Sequence, residues 1–434
     1  MNERDNLRAR YVKTDIGEAP ADWSVRSLGQ LGQVIRGGSP RPAGDPRYFH
    51  GTFIPWLTVA ALTTIPDSRM RVTETTGNLT EEGSKRSRML FPDTLIIANS
   101  GATLGVAKIL DIKCCANDGI AALIDQHSGN KEFLCYYINT QTQRLREVVA
   151  SGNGQPNLNT KLIRELKVPF PGECEQRAIA TVLGDVDELI ASLEALIAKR
   201  QAIKQGMLLQ LLTGRTRLPG FDAPWVDVTL GDHVNYVKTV PLSRAQLDKK
   251  SPLKYLHYGD IHTRRGVMLD AINEEMPRAD ARLAVRAGRL QSGDLVFADA
   301  SEDTGGVGKS VEVVAVPATG VVPGLHTIAA RFDKSVLADG FKAYLQFIPA
   351  FRESLLRLAA GTKVLATTRS SISSITLSLP DVTEQRAIAG ILRDADAEIA
   401  ELGIRRDKAR AIKQGIMQQL LTGRTRLPVQ ETAS

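Results

Sequence analysis

The feature that most constrains the fold is a long internal repeat. Residues 175–219 recur as residues 384–428, at a constant offset of 209 and without a gap, and 28 of the 45 paired positions are identical. Both copies begin EQRAIA and end QLLTGRTRLP. The stretches between the copies share little, so the chain consists of two tandem units that keep their connecting segments and differ in their variable domains.

The repeat also marks the borders of the variable stretches. Each opens on a tryptophan, Trp23 or Trp225, and closes on a short apolar segment that ends in proline, 166–171 or 375–380. Short apolar runs and glycine turns lie between these borders. We predict an α/β (α+β) fold, with two globular mixed domains joined by two long antiparallel coiled-coil helices in a pseudo-two-fold repeat. The predicted boundaries are 1–174, 175–219, 220–383 and 384–434.

The repeated segments have the pattern of coiled-coil helices. Apolar residues alternate steps of three and four along the first copy, and Arg200 alone is polar at these positions. The predicted seam of the first helix is Ile179, Val182, Val186, Leu189, Leu193, Leu196, Arg200, Ile203 and Met207. Gly214 and Gly423 follow the two helices and fit left-handed caps. The simpler alternative is that such helices hold a homodimer together.

Charge, hydropathy and cysteine spacing restrict the kinds of partner and location that we expect for this chain. The net charge of +7 and the pI near 9.2 favour a polyanionic partner without proving one. No apolar run approaches the ~20 residues that span a bilayer, and the first residues lack a signal-peptide pattern, so we expect a soluble cytoplasmic protein. The four cysteines lack metal-ligand spacing, which favours reduced thiols.

Searches for catalytic motifs find no complete one. Residues 303–310, DTGGVGKS, resemble a phosphate-binding loop, but Asp303 replaces its first glycine and a β-branched segment follows where a helix is required. We interpret this stretch as a hairpin turn. Nuclease, amino-methyltransferase and dinucleotide-binding patterns are also incomplete, so the chain is expected to be non-catalytic and to hold no metal or cofactor.

The order of these segments resembles that of the specificity subunits of type I restriction–modification systems. The resemblance covers nearly the whole chain: IGEAPADWSVRSLGQL, VIRGGSPRPAGDPRYFHGTFIPWL, SGATLGVAKI, NDGIAALI, SGNGQPNLNTKLIRELKVPFP and the two helices. It implies two target recognition domains that each read one half of a bipartite double-stranded DNA target. It also implies that the helices set the spacer and dock modification subunits, two in number.

The same resemblance assigns the chemistry to partner chains. Modification subunits would use S-adenosylmethionine to methylate adenine, and restriction subunits would use ATP and Mg²⁺. The alternatives are a specificity subunit of a stand-alone methyltransferase, which neighbouring genes would distinguish, and a coiled-coil adaptor that binds protein. An ATP-binding protein that uses residues 306–310 is a further alternative.

Candidate DNA contacts are polar or basic residues in loops, because Arg, Lys, Asn and Gln read base edges and Lys, Arg, Ser and Thr bind phosphates. In the first domain they are Arg36, Ser39, Arg41, Arg47, Ser100, Thr103, Asn153, Gln155, Asn157 and Lys161. In the second domain they are Lys238, Arg244, His262, Arg264, Arg265, Lys309, Thr362, Lys363 and Arg369. The segment GGSPRP of the first domain has no close counterpart in YVKTVPLSR (236–244) of the second, so the half-sites are expected to differ in sequence.

Overall fold

The computed structural model describes residues 11–149, 157–359 and 365–428, and these form two compact units. The first unit contains the described residues up to Ala195 and those from Gly403 onward, and the second runs from Leu196 to Leu402. Each unit therefore takes one variable domain, the beginning of the long helix that follows it, and the end of the other long helix. None of the described helices is long and apolar enough to cross a membrane.

Strands and helices are numbered in chain order. The strands of the first unit are β1 (Tyr11–Thr14), β2 (Gly17–Pro20), β3 (Ser24–Ser27), β4 (Gln33–Arg36), β5 (Phe49–Leu57), β6 (Arg71–Val72), β7 (Gly77–Leu79), β8 (Arg88–Leu90), β9 (Leu95–Ala98), β10 (Ala107–Leu110), β11 (Cys114–Ala116), β12 (Ile120–Ile124) and β13 (Lys167–Phe170). Those of the second are β14 (Val226–Thr229), β15 (Val234–Val237), β16 (Lys254–Leu256), β17 (Met268–Asp270), β18 (Leu295–Ala298), β19 (Ala300–Ser301), β20 (Ser310–Ala315), β21 (Val321–Pro323), β22 (Thr327–Phe332), β23 (Leu365–Ala366) and β24 (Thr376–Leu379).

The α-helices are α1 (Val59–Thr63), α2 (Glu81–Lys85), α3 (Lys131–Thr140), α4 (Thr142–Arg144), α5 (Thr160–Glu165), α6 (Glu173–Leu211), α7 (Tyr258–His262), α8 (Pro349–Leu358), α9 (Arg369–Ser373) and α10 (Val382–Leu420). Short 3-10 helices occupy Leu28–Gln30, Leu230–His233, Arg244–Gln246 and Lys342–Phe347, and a π-helical turn occupies Leu145–Val149.

Each variable domain has its own five-stranded central sheet, and the two sheets have the same topology. The strand order is β4-β12-β9-β10-β6 in the first unit and β15-β22-β18-β20-β17 in the second, with the last pair parallel and the others antiparallel. The middle strand of each sheet, β9 or β18, is apolar throughout because both of its faces are covered. Leu95 and Ile97 face one core of the first domain, whereas Ile96 and Ala98 face another.

The domains differ outside this sheet, which explains why the sequence repeat is faint there. The first domain adds a four-stranded sheet, β7-β5-β11-β8, whereas the corresponding part of the second contains the pair β16-β21. The borders are shared: the opening strand β3 or β14 pairs with the closing strand β13 or β24. The mixed fold expected from the sequence is confirmed.

The long helices run antiparallel within each unit, as ion pairs show. In the first unit Asp187 of α6 pairs with Lys413 of α10, and in the second Lys204 of α6 pairs with Asp396 of α10. These pairs are related by the 209-residue offset of the repeat. The predicted antiparallel arrangement of the helices thus holds inside each unit.

The predicted seam of α6 is wrong at several positions, although Ile179 and Leu193 are buried as predicted. Leu189, Leu196 and Ile203 are 48, 37 and 42% exposed. Buried positions along α6 are Ile179, Leu183, Asp187, Ile190, Leu193, Ile197, Leu208 and Leu211. The apolar pattern alone misplaces the seam because the packed face also carries charged side chains, the buried Asp187 and the half-buried Lys204.

Each of these buried charges has partners that offset its desolvation. Asp187 accepts hydrogen bonds from Lys413 Nζ at 2.6 Å and from the Tyr136 hydroxyl at 2.8 Å. Burial, reinforced by this carboxylate, raises the pKa of Tyr136 far above the usual tyrosine value, so the phenol stays a donor. In the second unit Asp396 likewise accepts from Lys204 and, at 3.0 Å, from the Tyr344 hydroxyl.

A buried carboxylate also joins each domain to the end of a long helix. Glu175 at the start of α6 accepts from Trp23 Nε1 at 3.1 Å and from Arg426 at 2.5 and 2.8 Å, and Arg426 also binds Asp22. We call this set the first joint: Trp23, Glu175 and Arg426. Both units keep these three residues because they form one contact. They are the glutamate that begins the repeat, the last arginine of the repeat and the tryptophan that opens the domain.

The second joint repeats this arrangement with Trp225, Glu384 and Arg217. Glu384 accepts from Arg217 Nε and Nη2, both at 2.7 Å, and from Trp225 Nε1 at 3.3 Å. Behind the joints, Gly214 and Gly423 end their helices with φ of 66° and 70°, as the cap pattern predicted. A side chain at Gly423 would also clash with Pro20.

We expect Glu384→Gln to lower the free energy of unfolding by about 2–4 kcal/mol, because it removes a buried charge that Arg217 and Trp225 contact. Glu401→Gln, an exposed position in the same helix, is the matched control and should change it by less than about 0.5 kcal/mol. Urea denaturation of both variants measures this. Equal effects would show that the second joint stabilises no more than a surface charge does.

Candidate nucleic-acid interface

The candidate residues concentrate at corresponding edges of the two central sheets. The first sheet edge lies where β4 and β9 end and β10 and β12 begin, at Arg36, Ala98, Ala107 and Ile120. The second sheet edge lies where β15 and β18 end and β20 and β22 begin, at Val237, Ala298, Ser310 and Thr327. Loops leave the sheet at these edges, where side chains are free of strand pairing.

At the first sheet edge, candidates from the opening loop converge on Asp118. Arg36 Nε donates to the Asp118 carbonyl oxygen at 2.5 Å, and the Ser39 hydroxyl donates to its carboxylate at 2.6 Å. Arg41, whose side chain is 74% exposed, lies 3.5 Å from the same carboxylate. The edge thus presents arginine donors and a carboxylate acceptor side by side.

The other first-domain candidates lie on separate elements of the domain. Ser100 bridges to Asn157, which brings the turn after β9 against the segment before α5. The Thr103 hydroxyl is buried without a hydrogen-bond partner among the described residues, and Lys161 is exposed in α5. Arg47 is exposed and bonded to Asp45, which raises the pKa of the guanidinium and lowers that of the carboxyl.

At the second sheet edge, three candidates come from different elements. Lys238 directly follows β15 and is exposed. His262, at the end of α7, has Nε2 2.8 Å from the Ala300 carbonyl oxygen, and Lys309 Nζ donates to the His262 carbonyl oxygen. These bonds hold the end of α7 against the turn between β18 and β20.

The remaining second-domain candidates are placed less uniformly. Arg244 lies exposed in its 3-10 helix, and Arg265 is exposed after α7. Arg264 is paired with Glu274 and bonded to the Met268 carbonyl oxygen, so its charge is balanced within the domain. Arg369 begins α9 and its guanidinium lies 5.4 Å from the centre of the Tyr236 ring.

A cavity of about 930 Å³ opens at the second sheet edge. It gathers four of the candidates, His262, Arg264, Arg265 and Lys309, and residues that the sequence did not single out. Those residues include Tyr258, His326 and Arg352. Tyr258 meets His326 and His262 edge-on, with ring centres 5.4 and 6.0 Å apart, so the cavity wall is partly aromatic.

The glycine-rich stretch 303–310 is a turn, as we interpreted it. Ser310 begins β20 rather than a helix, so no helix N-terminus faces the turn. The amide of Gly306 donates to Asp303 Oδ1 at 2.7 Å, and Lys309 is bonded to His262. Two donors of the kind that a phosphate-binding loop presents to nucleotide, the Gly306 amide and the Lys309 ammonium group, are therefore bonded within the domain.

Four candidates, Asn153, Gln155, Thr362 and Lys363, lie outside the described residues, and their assignment stays a prediction. Within the described ranges, no group of three or more His, Cys, Asp and Glu side chains is arranged to hold a metal ion. The cysteines in these ranges are free, and burial raises the pKa of the Cys114 and Cys135 thiols to about 12.

Sequence reasoning missed residues whose chemistry did not suggest DNA. Asp118 is acidic, and a pattern of basic loop residues does not include it, although NDG is a recognisable turn sequence before β12. Tyr258 and His326 carry no sequence signal for a binding site, since aromatic residues usually belong to the core. His326 has a φ of 54°, a strained conformation that no sequence pattern marks.

Comparisons with known proteins agree on one family. A family model described as "Type I restriction modification DNA specificity domain" matches residues 20–204. A type I restriction enzyme specificity subunit, MjaIX, from Methanocaldococcus jannaschii is 30% identical over 183 residues, which is 42% of this chain and 41% of that protein. The putative MjaX specificity subunit of the same organism is 24% identical over 96% of this chain and 97% of its own length.

Solved structures agree with the fold. The type I restriction–modification S subunit from M. genitalium superposes with a TM-score of 0.58 at 14% identity, covering 92% of this chain and 96% of that one. A chain from a structure of type I system assembly and conformational transition gives a TM-score of 0.53 at 15% identity, over 94% and 99%. At this level of identity the likeness shows the fold.

Asp118→Asn should strengthen binding to nonspecific duplex DNA, because it removes the negative charge beside Arg41 and keeps an oxygen for Ser39. We expect the slope of log K against log salt concentration to steepen by up to about one unit, the contribution of one phosphate contact. Fluorescence anisotropy over a salt series measures this.

The matched control is Asp125→Asn, which removes the exposed carboxylate just past the other end of β12. It should leave the slope unchanged. If both variants steepen the slope equally, net charge alone explains the effect and the first sheet edge has no special role.

Proposed function

On the basis of this similarity to the specificity subunits of type I restriction–modification systems, we propose that the chain is such a subunit and that each variable domain reads one half of a bipartite DNA target. The observation that carries this proposal is the pair of sheet edges. Two domains of one strand order present loops at the same edge of the central sheet, and the side chains on those loops differ. Two domains that recognise different DNA sequences require a common scaffold whose loops carry different polar residues.

The chemistry of the edges supports unlike half-sites. The first sheet edge offers Arg36, Arg41 and the Asp118 carboxylate, and in the major groove arginine suits guanine whereas a carboxylate accepts from the cytosine amino group. The second offers Lys238, Arg265 and histidine rings beside a cavity. Phosphate contacts from the exposed arginines would position each domain, and base contacts would specify the sequence.

We further propose that α6 and α10 set the spacer between the half-sites and dock the modification subunits. Repeated ion pairs and joints support this proposal, because they fix each domain to helix segments of defined register. Two equivalent helix pairs would offer two equivalent docking places, and hence two modification subunits.

The chain itself would make and break no bonds. Methyl transfer from S-adenosylmethionine would belong to the modification subunits, and ATP- and Mg²⁺-dependent work to restriction subunits where the system has them. A stand-alone methyltransferase remains the alternative, and the genes beside this one distinguish the two. The site of action would be the cytoplasm, where the DNA lies.

Mapping of methylated adenines in the source genome, with and without this gene, tests the proposal. A split motif with two unlike halves that disappears on deletion would support it and would give the target sequence. If a functioning modification partner is present and no motif depends on this gene, the proposal is wrong and a protein-binding adaptor is favoured.

The two domains should act independently. We expect Arg41→Ala to weaken or relax recognition of only one half-site and Arg265→Ala of only the other, each by about 1–3 kcal/mol if the side chain contacts a base. Binding to duplexes altered in one half-site at a time measures this. Equal loss at both halves in either variant would contradict two independent readers.

Lengthening both helices should lengthen the spacer. Seven residues, two helical turns, inserted between Ala195 and Leu196 and again between Leu402 and Gly403 would keep the buried stripes in register and add about 10 Å. At ~3.4 Å per base pair we expect a spacer longer by about three base pairs with unchanged half-sites. Mapping the methylated motif of the variant gives the answer, and an unchanged spacer would reject the role of the helices.

A further inference from the structure

We propose that the cavity at the second sheet edge holds one nucleotide of its half-site, turned out of the DNA helix. This inference rests on the proposed function and goes beyond it, because it assigns an extrahelical base to the second domain. The cavity volume of about 930 Å³ is at the upper end of the range usual for small-molecule sites, so a nucleotide fits with ordered water.

The cavity wall suits the flat face of a base. Tyr258 and the His262 and His326 rings line it together with Phe347. Stacking of a base on an aromatic side chain contributes about 1–3 kcal/mol, which can offset an unstacking cost of a few kcal/mol. Tyr258 is the first residue of α7, whereas Val59 is the first residue of the corresponding helix α1. We therefore assign the extrahelical base to the second domain.

Four basic residues line the cavity against two acidic ones, Glu302 and Asp303, so the lining has a net positive charge that suits a phosphate backbone. Arg265 is exposed and makes no ion pair with any residue that the structure describes, so its guanidinium is available to a phosphate. Arg352 lines the same cavity, and its Nη2 donates to the Thr304 carbonyl oxygen at 3.2 Å. The nearby carboxylate of Asp303 is occupied by the Gly306 amide, which keeps it within the turn.

A buried hydroxyl supplies a hydrogen-bonding position. Ser310 lines the cavity and is 2% exposed, yet its Oγ has no partner among the described residues. Its backbone amide and carbonyl groups are both bonded to the side chain of Gln346, so the hydroxyl alone is left over. Buried polar groups in native proteins usually have a partner, and a base edge in the cavity would provide one.

The test uses the complex of this chain with its modification subunits on the target duplex that methylation mapping defines. Mismatches are introduced one at a time along the second half-site, on each strand, and the affinity of each duplex is measured. At a base that is read within the helix, a mismatch weakens binding. At an extruded base it tightens binding, because the cost of unpairing is already removed.

We expect one position in the second half-site, other than the methylated adenine, at which a mismatch tightens binding by about threefold or more. Ser310→Ala should weaken binding to the matched target by about 2- to 10-fold, the range for one hydrogen bond, and should reduce the gain from the mismatch. It should leave thermal stability unchanged or slightly higher, because an unpaired buried hydroxyl is removed. Tyr258→Val should abolish the gain.

Ser292→Ala is the matched control. Ser292 lies just before β18, at the end of that strand away from the second sheet edge, and its hydroxyl is already bonded to the Val314 carbonyl oxygen. The control variant should leave the mismatch gain intact. If every mismatch weakens binding in the unaltered complex, no base is extruded into this cavity and the inference is overturned, while the proposed function stands. If the complex fails to bind its target duplex, both are wrong.

Discussion

The two joints are the contacts on which the rest of the structure depends. In each, a carboxylate that is almost fully buried at the start of one long helix receives an arginine from the end of the other helix and the indole of an opening tryptophan. A charge in such a place is tolerated only with close partners, since an unpaired buried carboxylate costs several kcal/mol. The joints therefore fix the opening of each domain, and with it strands β3 and β14, to helices of set register.

The central sheets then carry different loops on one frame. Their middle strands are apolar and covered on both faces, so they tolerate little change of size or polarity. The loops at the sheet edges are free of that constraint. Asp118 at one edge and the aromatic cavity at the other show how far the chemistry can diverge while the strand order is kept. The same frame can therefore present a wide range of recognition surfaces.

Much of this arrangement could be predicted from the sequence because the repeat marks it. The constant offset identified both helices, their glycine caps and the equivalence of the domains, and the β-branched segment after the glycine-rich turn identified β20. The seam of α6 could not be placed, since Asp187 and Lys204 lie on the buried face only because Lys413, Tyr136 and Asp396 reach them from distant parts of the chain. Asp118 and the cavity could not be predicted either, since the surroundings of each consist of residues that only the fold brings together.

The first unit is assembled from two separate segments of the chain, and this affects how the chain folds during synthesis. The second unit is continuous and is complete once residue 402 has emerged, whereas the first must wait for a segment near the end of the chain. Arg426 meets Glu175 across 251 residues and Asp22 across 404. Until that arginine leaves the ribosome, the earlier-made domain holds a carboxylate without its cation. We therefore expect the second unit to finish folding first, although domains usually fold in the order of their synthesis.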